Sequence, residues 1–275
     1  MKYEALKQAI EAADAVVVGA GAGLSTAAGL SFEGERFNTY FADFRDRYGI
    51  RDIYSGGFYP FKTLEEYWAW WSRSILYNRY EAQTNDTYAL LLRLVEDSDY
   101  FVITTNVDHQ FQQSGFDKAR LFYTQGDFGL LQCSRACHPK TYDNEALIRE
   151  MVAAQEDMKV PSHLVPYCPH CGAPMTTNLR CDDTFVEDEG WHHASARYQA
   201  FLQKHSYDEV VYLELGVGGN TPAIIKYPFW RRTLTNPNAT YASLNLARSF
   251  IPDDLVNQSI LLTGDIHALL QDLVD

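Results

Sequence analysis

Ala15-Val16-Val17-Val18 runs into Gly19-Ala20-Gly21-Ala22-Gly23-Leu24-Ser25-Thr26-Ala27-Ala28-Gly29, and this stretch decides the fold. A short apolar strand, a glycine turn and a helix of small residues make the context in which glycines bring backbone close to a ligand. Gly19 and Gly21 would admit a pyrophosphate, and the helix start would offer N–H groups and a favourable dipole. A tight core turn is the competing reading. A dehydrogenase would add an acidic residue at the end of the next strand, about twenty residues on. Glu33 and Glu35 fall in a polar turn instead.

Outward from that turn, strand candidates alternate with helical periodicity. Residues 1–13 carry Leu6, Ile10 and Ala13 at helical spacing, and 84–97 carry Tyr88, Leu91, Leu92 and Val95. Apolar runs at 100–104, 121–123, 209–215, 241–244 and 259–262 read as strands, a helix is expected to start near Thr221-Pro222, and 265–274 reads as a last helix. The expected fold class is α/β: a Rossmann-like parallel sheet with helices on both faces, plus a small inserted zinc-binding module. The Rossmann-like domain is assigned to 1–130 and 190–275. Within it, the aromatic-rich 31–80 reads as loops and short helices, a lid or helical insertion. The cysteine module is assigned to 131–189.

Two cysteine pairs, Cys133-x3-Cys137 and Cys168-x2-Cys171, have knuckle spacing. Four thiolates make a closed tetrahedral zinc site with no position for substrate, so the metal is expected to be structural. His138 and His170 are expected outside the shell, and Cys181 as an ordinary small hydrophobe. At the end of the 100–104 strand stands Thr105-Asn106-Val107-Asp108. Its side chains could fix an amide or ribose hydroxyls at the sheet edge, or serve Asx-turn chemistry. His109 reads as a surface or packed histidine rather than a base.

Lys plus Arg number 23 against 36 Asp plus Glu, a formal charge of −13. That balance disfavours a general nucleic-acid binder. Met1-Lys2-Tyr3-Glu4 has no apolar signal core, and the apolar runs fall short of membrane-spanning length. A cytoplasmic protein without membrane partners is expected.

Gly19–Ser25, Thr105–Asp108, the paired cysteines and the Gly216 loop follow one another in an order that resembles the sirtuin family, over roughly residues 12–275. The resemblance implies NAD as cofactor. It places the pyrophosphate at Gly19, Ala20, Gly21, Gly23, Leu24 and Ser25, and implies that Asn106 orients the nicotinamide ribose and a water. It further implies that Asp108 holds the carboxamide, that Gly216 and Gly218 line the phosphate and ribose edge, and that Asn245, Asp265 and Ile266 lie at the adenosine end. Arg36 stands near the place of a family arginine. The chain departs from the family where a histidine-glycine pair is expected, reading Thr124-Gln125-Gly126-Asp127. A histidine takes a proton near neutral pH, and an amide does not. Deacylation in that family needs a base to activate a ribose hydroxyl. Transfer of ADP-ribose to an already charged acceptor does not.

The altered motif resembles the macrodomain-linked sirtuins. That resemblance implies mono-ADP-ribosylation of a lipoyl-carrier protein related to the glycine-cleavage H protein. A macrodomain hydrolase and a lipoate–protein ligase are the implied associates. Asn106, Gln125 and Asp108 are the expected catalytic residues of such a protein ADP-ribosyltransferase. A lysine deacylase and a non-catalytic NAD or ADP-ribose binding module are the alternatives.

Overall fold

The computed structural model describes residues 2–219 and 222–274. Its helices are α1 (Lys2–Ala12), α2 (Ala22–Ala27), α3 (Glu35–Tyr48), α4 (Ile53–Gly56), α5 (Leu64–Ile75), α6 (Thr87–Val95), α7 (Gln110–Gln113), α8 (Glu145–Ala154), α9 (Glu189–Lys204), α10 (Lys226–Thr235) and α11 (Ile266–Val274). Its strands are β1 (Ala15–Ala20), β2 (Tyr100–Thr104), β3 (Leu121–Tyr123), β4 (Gly126–Cys133), β5 (Tyr142–Asp143), β6 (Met175–Leu179), β7 (Val210–Leu215), β8 (Thr240–Asn245) and β9 (Ser259–Thr263).

Six strands form a parallel sheet in the order β3-β2-β1-β7-β8-β9. Side chains alternate across each strand, so β1 sends Val16, Val18 and Ala20 to one face and Ala15 and Val17 to the other. The first face is covered by α1, α2, α6 and α11, through Leu6, Leu24, Leu91 and Leu270 among others. The second is covered by α9 and α10, through Tyr198, Leu202, Ile225 and Phe229. Both faces are dry, which is why the strands read as continuous apolar runs. The chain order reverses between β1 and β7, and ligands of open α/β sheets bind at such a switch point.

The expected sheet and helices on both faces are present. The helix expected near Thr221-Pro222 starts later, at Lys226 after a turn at 222–225; Thr221 itself lies outside the described residues. The stretch 31–80 is more helical than expected, being built largely on α3 and α5. α5 ends in a π-helical turn, Leu76–Tyr80.

A second core joins this insertion to the cysteine region. Phe41, Phe44, Trp68 and Trp70 pack in one cluster with Leu131, Cys133, Ile148, Met151, Cys168 and Met175. The small antiparallel sheet of this lobe has the order β5-β4-β6 and takes in β4 from Gly126 onward. No helix among the described residues is long and apolar enough to cross a membrane.

Candidate active site

The glycine turn closes the C-terminal edge of β1. Gly21 N–H donates to Leu215 O at 3.0 Å, and Gly23 N–H to Gly216 O at 2.9 Å. A Cβ on Gly21 would lie 2.8 Å from Gly216 O, and one on Gly23 2.7 Å from Gly216 Cα. Gly216 itself has φ +62°, in the left-handed region that favours glycine. The Cβ directions of Gly21 and Gly23 are therefore filled by the Gly216 loop. That of Gly19 is filled by Ile225, just ahead of α10, and by Phe229 of α10. These glycines answer a packing demand inside the protein, whatever ligand approaches the free side of the turn.

One strand over, β2 ends beside this turn. Thr105 N–H and the Thr104 hydroxyl both donate to Ala20 O, at 3.1 and 3.0 Å. Asn106 is then held from two sides. Its N–H donates to Thr104 Oγ1 at 3.0 Å, and its amide Nδ2 to Gly21 O at 3.0 Å. Because Gly21 O can only accept, the amide's nitrogen side faces it. Asp108 is buried. Its Oδ2 accepts from the Ser25 hydroxyl at 2.5 Å and its Oδ1 from Gln110 N–H at 3.2 Å. The Ser25 proton is thus spent, so the buried Tyr88 hydroxyl, 3.1 Å away, donates to Ser25 Oγ. Burial pushes the Asp108 carboxyl above the usual carboxylate range, and the Ser25 and Gln110 hydrogen bonds oppose that shift.

Gln125 lies between β3 and β4, half-buried. Its carbonyl accepts from Arg180 N–H at 3.0 Å. Its residue lines a cleft of about 470 Å³ with Arg180, Glu187, Trp191, Ile224 and Pro228. Asn106, Asp108 and Ser25 form one buried cluster, and Gln125 opens on this cleft. The two are linked where Thr124 N–H and its hydroxyl reach Thr104 O, at 3.0 and 3.2 Å. Arg180 pairs with Glu187 at 2.5 Å and lies over the Phe185 and Trp191 rings. Neither Arg180 nor Trp191 was singled out from the sequence. Arg180 falls in the stretch assigned to the cysteine module and Trp191 just beyond it, with no motif at either position to mark it.

The other expected site residues are spread along the same edge or away from it. Asn245, at the end of β8, donates from Nδ2 to Val217 O at 3.2 Å, which ties it to the Gly216 loop. Gly218 is exposed, with open space where a Cβ would stand. Asp265 is exposed and its Oδ1 accepts from Ala268 N–H at 3.0 Å, while Ile266, the first residue of α11, is buried. Leu24 is a core residue. Arg36 belongs to the insertion: its guanidinium donates to Ser31 O, Asn78 Oδ1 and Tyr77 O at 3.2, 2.8 and 2.6 Å. Burial lowers its pKa. His109, expected as a surface or packed histidine, is partly buried and bound through Nδ1 to Asp127 Oδ2 at 2.5 Å.

At the far end of β4 the sulfurs of Cys133, Cys137, Cys168 and Cys171 all lie within 4.8 Å of one another. Cys133 is 3.5 Å from Cys171, and Cys137 is 3.6 Å from Cys168. Zn–S bonds of ~2.3 Å in a tetrahedron give S···S edges of ~3.8 Å. The cluster therefore fits a four-thiolate metal. His138 and His170 stack 5.3 Å apart and touch the Cys137 sulfur from outside the four. Cys181, expected as an ordinary small hydrophobe, lies outside the cluster and is exposed.

No family model matches the chain. A protein ADP-ribosyltransferase of Staphylococcus aureus (strain Mu50 / ATCC 700699) is 42% identical over 268 residues, spanning 97% of this chain and 85% of the relative. A probable bifunctional ADP-ribose hydrolase/ADP-ribosyltransferase of Fusarium oxysporum f. sp. cubense is 30% identical over 231 residues. That match spans 80% of this chain and 38% of the relative. Among solved structures, a complex of a Sir2 homolog with NAD superposes at TM-score 0.60 with 16% identity, covering 98% and 93% of the two chains. Sir2Tm bound to a propionylated peptide superposes at 0.63 with 20% identity, covering 98% and 96%. The latter two likenesses show the fold. With the staphylococcal match along almost its whole length, they show that this chain belongs to the sirtuin family, on the branch that carries protein ADP-ribosyltransferases.

Proposed function

We propose that the protein is an NAD-dependent protein mono-ADP-ribosyltransferase that releases nicotinamide. The observation that carries this reading is Gln125. An amide, which takes no proton near neutral pH, occupies the turn between β3 and β4 where the cleft opens. The extended likeness to a protein ADP-ribosyltransferase supports the same reading. Bound NAD supplies a glycosidic bond whose nicotinamide can depart; the protein's residues orient it.

The turn at Gly19, Ala20, Gly21, Gly23, Leu24 and Ser25 would hold the pyrophosphate. Asn106 and Asp108 would hold the nicotinamide ribose and carboxamide, and Gly216, Gly218, Asn245, Asp265 and Ile266 the remainder. Arg36 would act from the insertion. Asp108, buried among acceptor and donor groups, suits recognition of an amide N–H. Asn106 keeps its carbonyl oxygen for a hydroxyl or water. Gln125 would orient ribose hydroxyls, and positioning of this kind lowers a barrier without any proton transfer by the residue. The four cysteines would hold a structural zinc. The acceptor is a protein, and a lipoyl-carrier protein is our proposal for it. A macrodomain hydrolase and a lipoate–protein ligase are the proposed associates, in the cytoplasm.

Incubation with NAD labelled in its adenylate, with and without a lipoylated carrier protein, tests the proposal. Label on the carrier with stoichiometric nicotinamide is the expected result. Acyl-ADP-ribose formed from an acylated peptide, with no labelled carrier, would replace it with deacylation. Binding of NAD without release of nicotinamide would leave only a binding module.

A further inference from the structure

Two residues beyond Gln125, the Asp127 carboxylate is almost wholly buried and gathers three parts of the chain. Its Oδ1 accepts from Arg79 Nε at 2.6 Å and from Gly129 N–H at 2.7 Å. Its Oδ2 accepts from His109 Nδ1 at 2.5 Å. Arg79 stands on the π-helical turn that ends α5, a geometry that recurs at functional sites. The guanidinium occupies the space a Cβ on Gly129 would need. His109 immediately follows Asp108 and has φ +65°, a strained conformation for a residue other than glycine that persists only where its surroundings hold it. Phe128 N–H also donates to Val107 O at 2.9 Å, so β4 is tied to the Asn106–Asp108 loop directly beside Asp127. Burial opposes ionisation of Asp127, but the His109 and Arg79 bonds hold its pKa below the usual carboxylate range.

We propose that Asp127 is a positioning residue which, through His109 and Arg79, sets the Asn106–Asp108 loop against Gln125. In this arrangement His109 serves as a hydrogen-bond donor in a left-handed backbone, not as a proton-transfer group. The inference rests on the function proposed above. Ordinary packing would tolerate any shape-preserving change. A positioning role demands a donor at His109 and a charge at Asp127.

The test uses the full zinc-loaded chain and reads nicotinamide release and, by calorimetry, NAD affinity. Asp127→Asn is expected to lower kcat at least about tenfold with NAD affinity within about twofold, since a displacement of about 1 Å at reacting groups costs on the order of 10²-fold. His109→Asn keeps a donor at the Nδ1 position and tolerates φ > 0, so it should retain most of wild-type kcat with an unchanged pH profile. His109→Leu should fall as Asp127→Asn does. Gly129→Ala, which displaces the Arg79 guanidinium, should give the same split should Asp127→Asn fold poorly. Wild-type kcat in Asp127→Asn would overturn the proposal, as would a His109→Asn protein as slow as His109→Leu. A crystal structure of Asp127→Asn or Gly129→Ala reads the same point without activity. Displacement of Asn106 relative to Gln125 supports it and an unmoved pair refutes it. Absence of nicotinamide release from the wild type would count against the transferase reading alone.

Discussion

Asn106 commits an amide hydrogen to Gly21 O and leaves its carbonyl oxygen to the site, whereas Gln125 lines the adjoining cleft at the same strand edge. The two amides should therefore fail differently. Asn106→Ala is expected to abolish transfer, a loss of at least about 10²-fold, while leaving most NAD affinity intact, because the interaction is made where bonds change. Gln125→Ala should lose activity with the wild-type pH profile preserved, since no titrating group is removed. Labelled-NAD transfer measured from pH 6 to 9, beside calorimetry of NAD binding, checks both. A Gln125→Ala protein with a shifted pH profile would show that the amide governs a proton after all. From the residues alone, Asn106 and Asp108 at a strand end read equally as ligand-binding groups or as Asx-turn chemistry, and Gln125 stands out only through the family resemblance. The sequence hid Asp127's role, because a buried carboxylate's partners, Arg79 and His109, are far from it in sequence and meet only on folding.

At the scale of elements, the parallel strands were legible from their apolar runs, being buried on both faces. The longest helix, α9, was not. Its apolar positions Trp191, Ala194, Tyr198 and Leu202 follow helical spacing, but polar and histidine residues dilute them and the stretch adjoins the cysteine region. The start signal is Asp188. Its Oδ1 caps Trp191 N–H at 2.8 Å, and its Oδ2 takes the Thr141 hydroxyl at 2.5 Å, tying α9 to the small lobe. An N-cap of this kind contributes about 1 kcal/mol. Asp188→Ala should lower stability by about that amount, read by chemical denaturation. It should also loosen Trp191, whose indole N–H donates to Thr124 O at 3.2 Å beside Gln125. An unchanged denaturation midpoint would remove the cap from the account. The insertion was read as looser than it is, because its order comes from aromatic packing against the cysteine lobe rather than from a local pattern.

Across the whole molecule, two clusters far from the candidate site set its tolerance of conditions. The first is the four-cysteine group. On the proposal that these thiolates hold a zinc, Cys168→Ser should abolish metal binding and lower the melting temperature of the small lobe before it changes NAD affinity, because Cys133 and Cys168 belong to that lobe's core. Elemental analysis and differential scanning calorimetry check it; a metal-free native protein of undiminished stability would refute it. The second is Asp99, at the opposite edge of the sheet, bonded to Lys204, Arg120 and His205 at 2.7, 2.6 and 3.1 Å. Burial works against ionisation there, but Lys204 and Arg120 outweigh it and hold the pKa at about 2. A carboxylate depressed on folding adds stability above its unfolded pKa of about 3.9, and that contribution is lost as pH falls through the folded value. Asp99→Asn should thus cost about 1–2 kcal/mol at pH 7 after solvent screening. The deficit should shrink between about pH 4 and pH 2, followed by urea denaturation.

The shared core of the small lobe has a consequence for the protein's birth on the ribosome. Trp68, Trp70 and their neighbours are synthesised early, yet Ile148, Met151, Cys168 and Met175 complete their packing only about a hundred residues later. At the usual pace of about 5–20 residues per second, this aromatic surface stays uncovered for about 5–20 s of translation. Nascent chains arrested near residue 120 should therefore recruit hydrophobic-binding chaperones, and chains arrested well past residue 210 should release them.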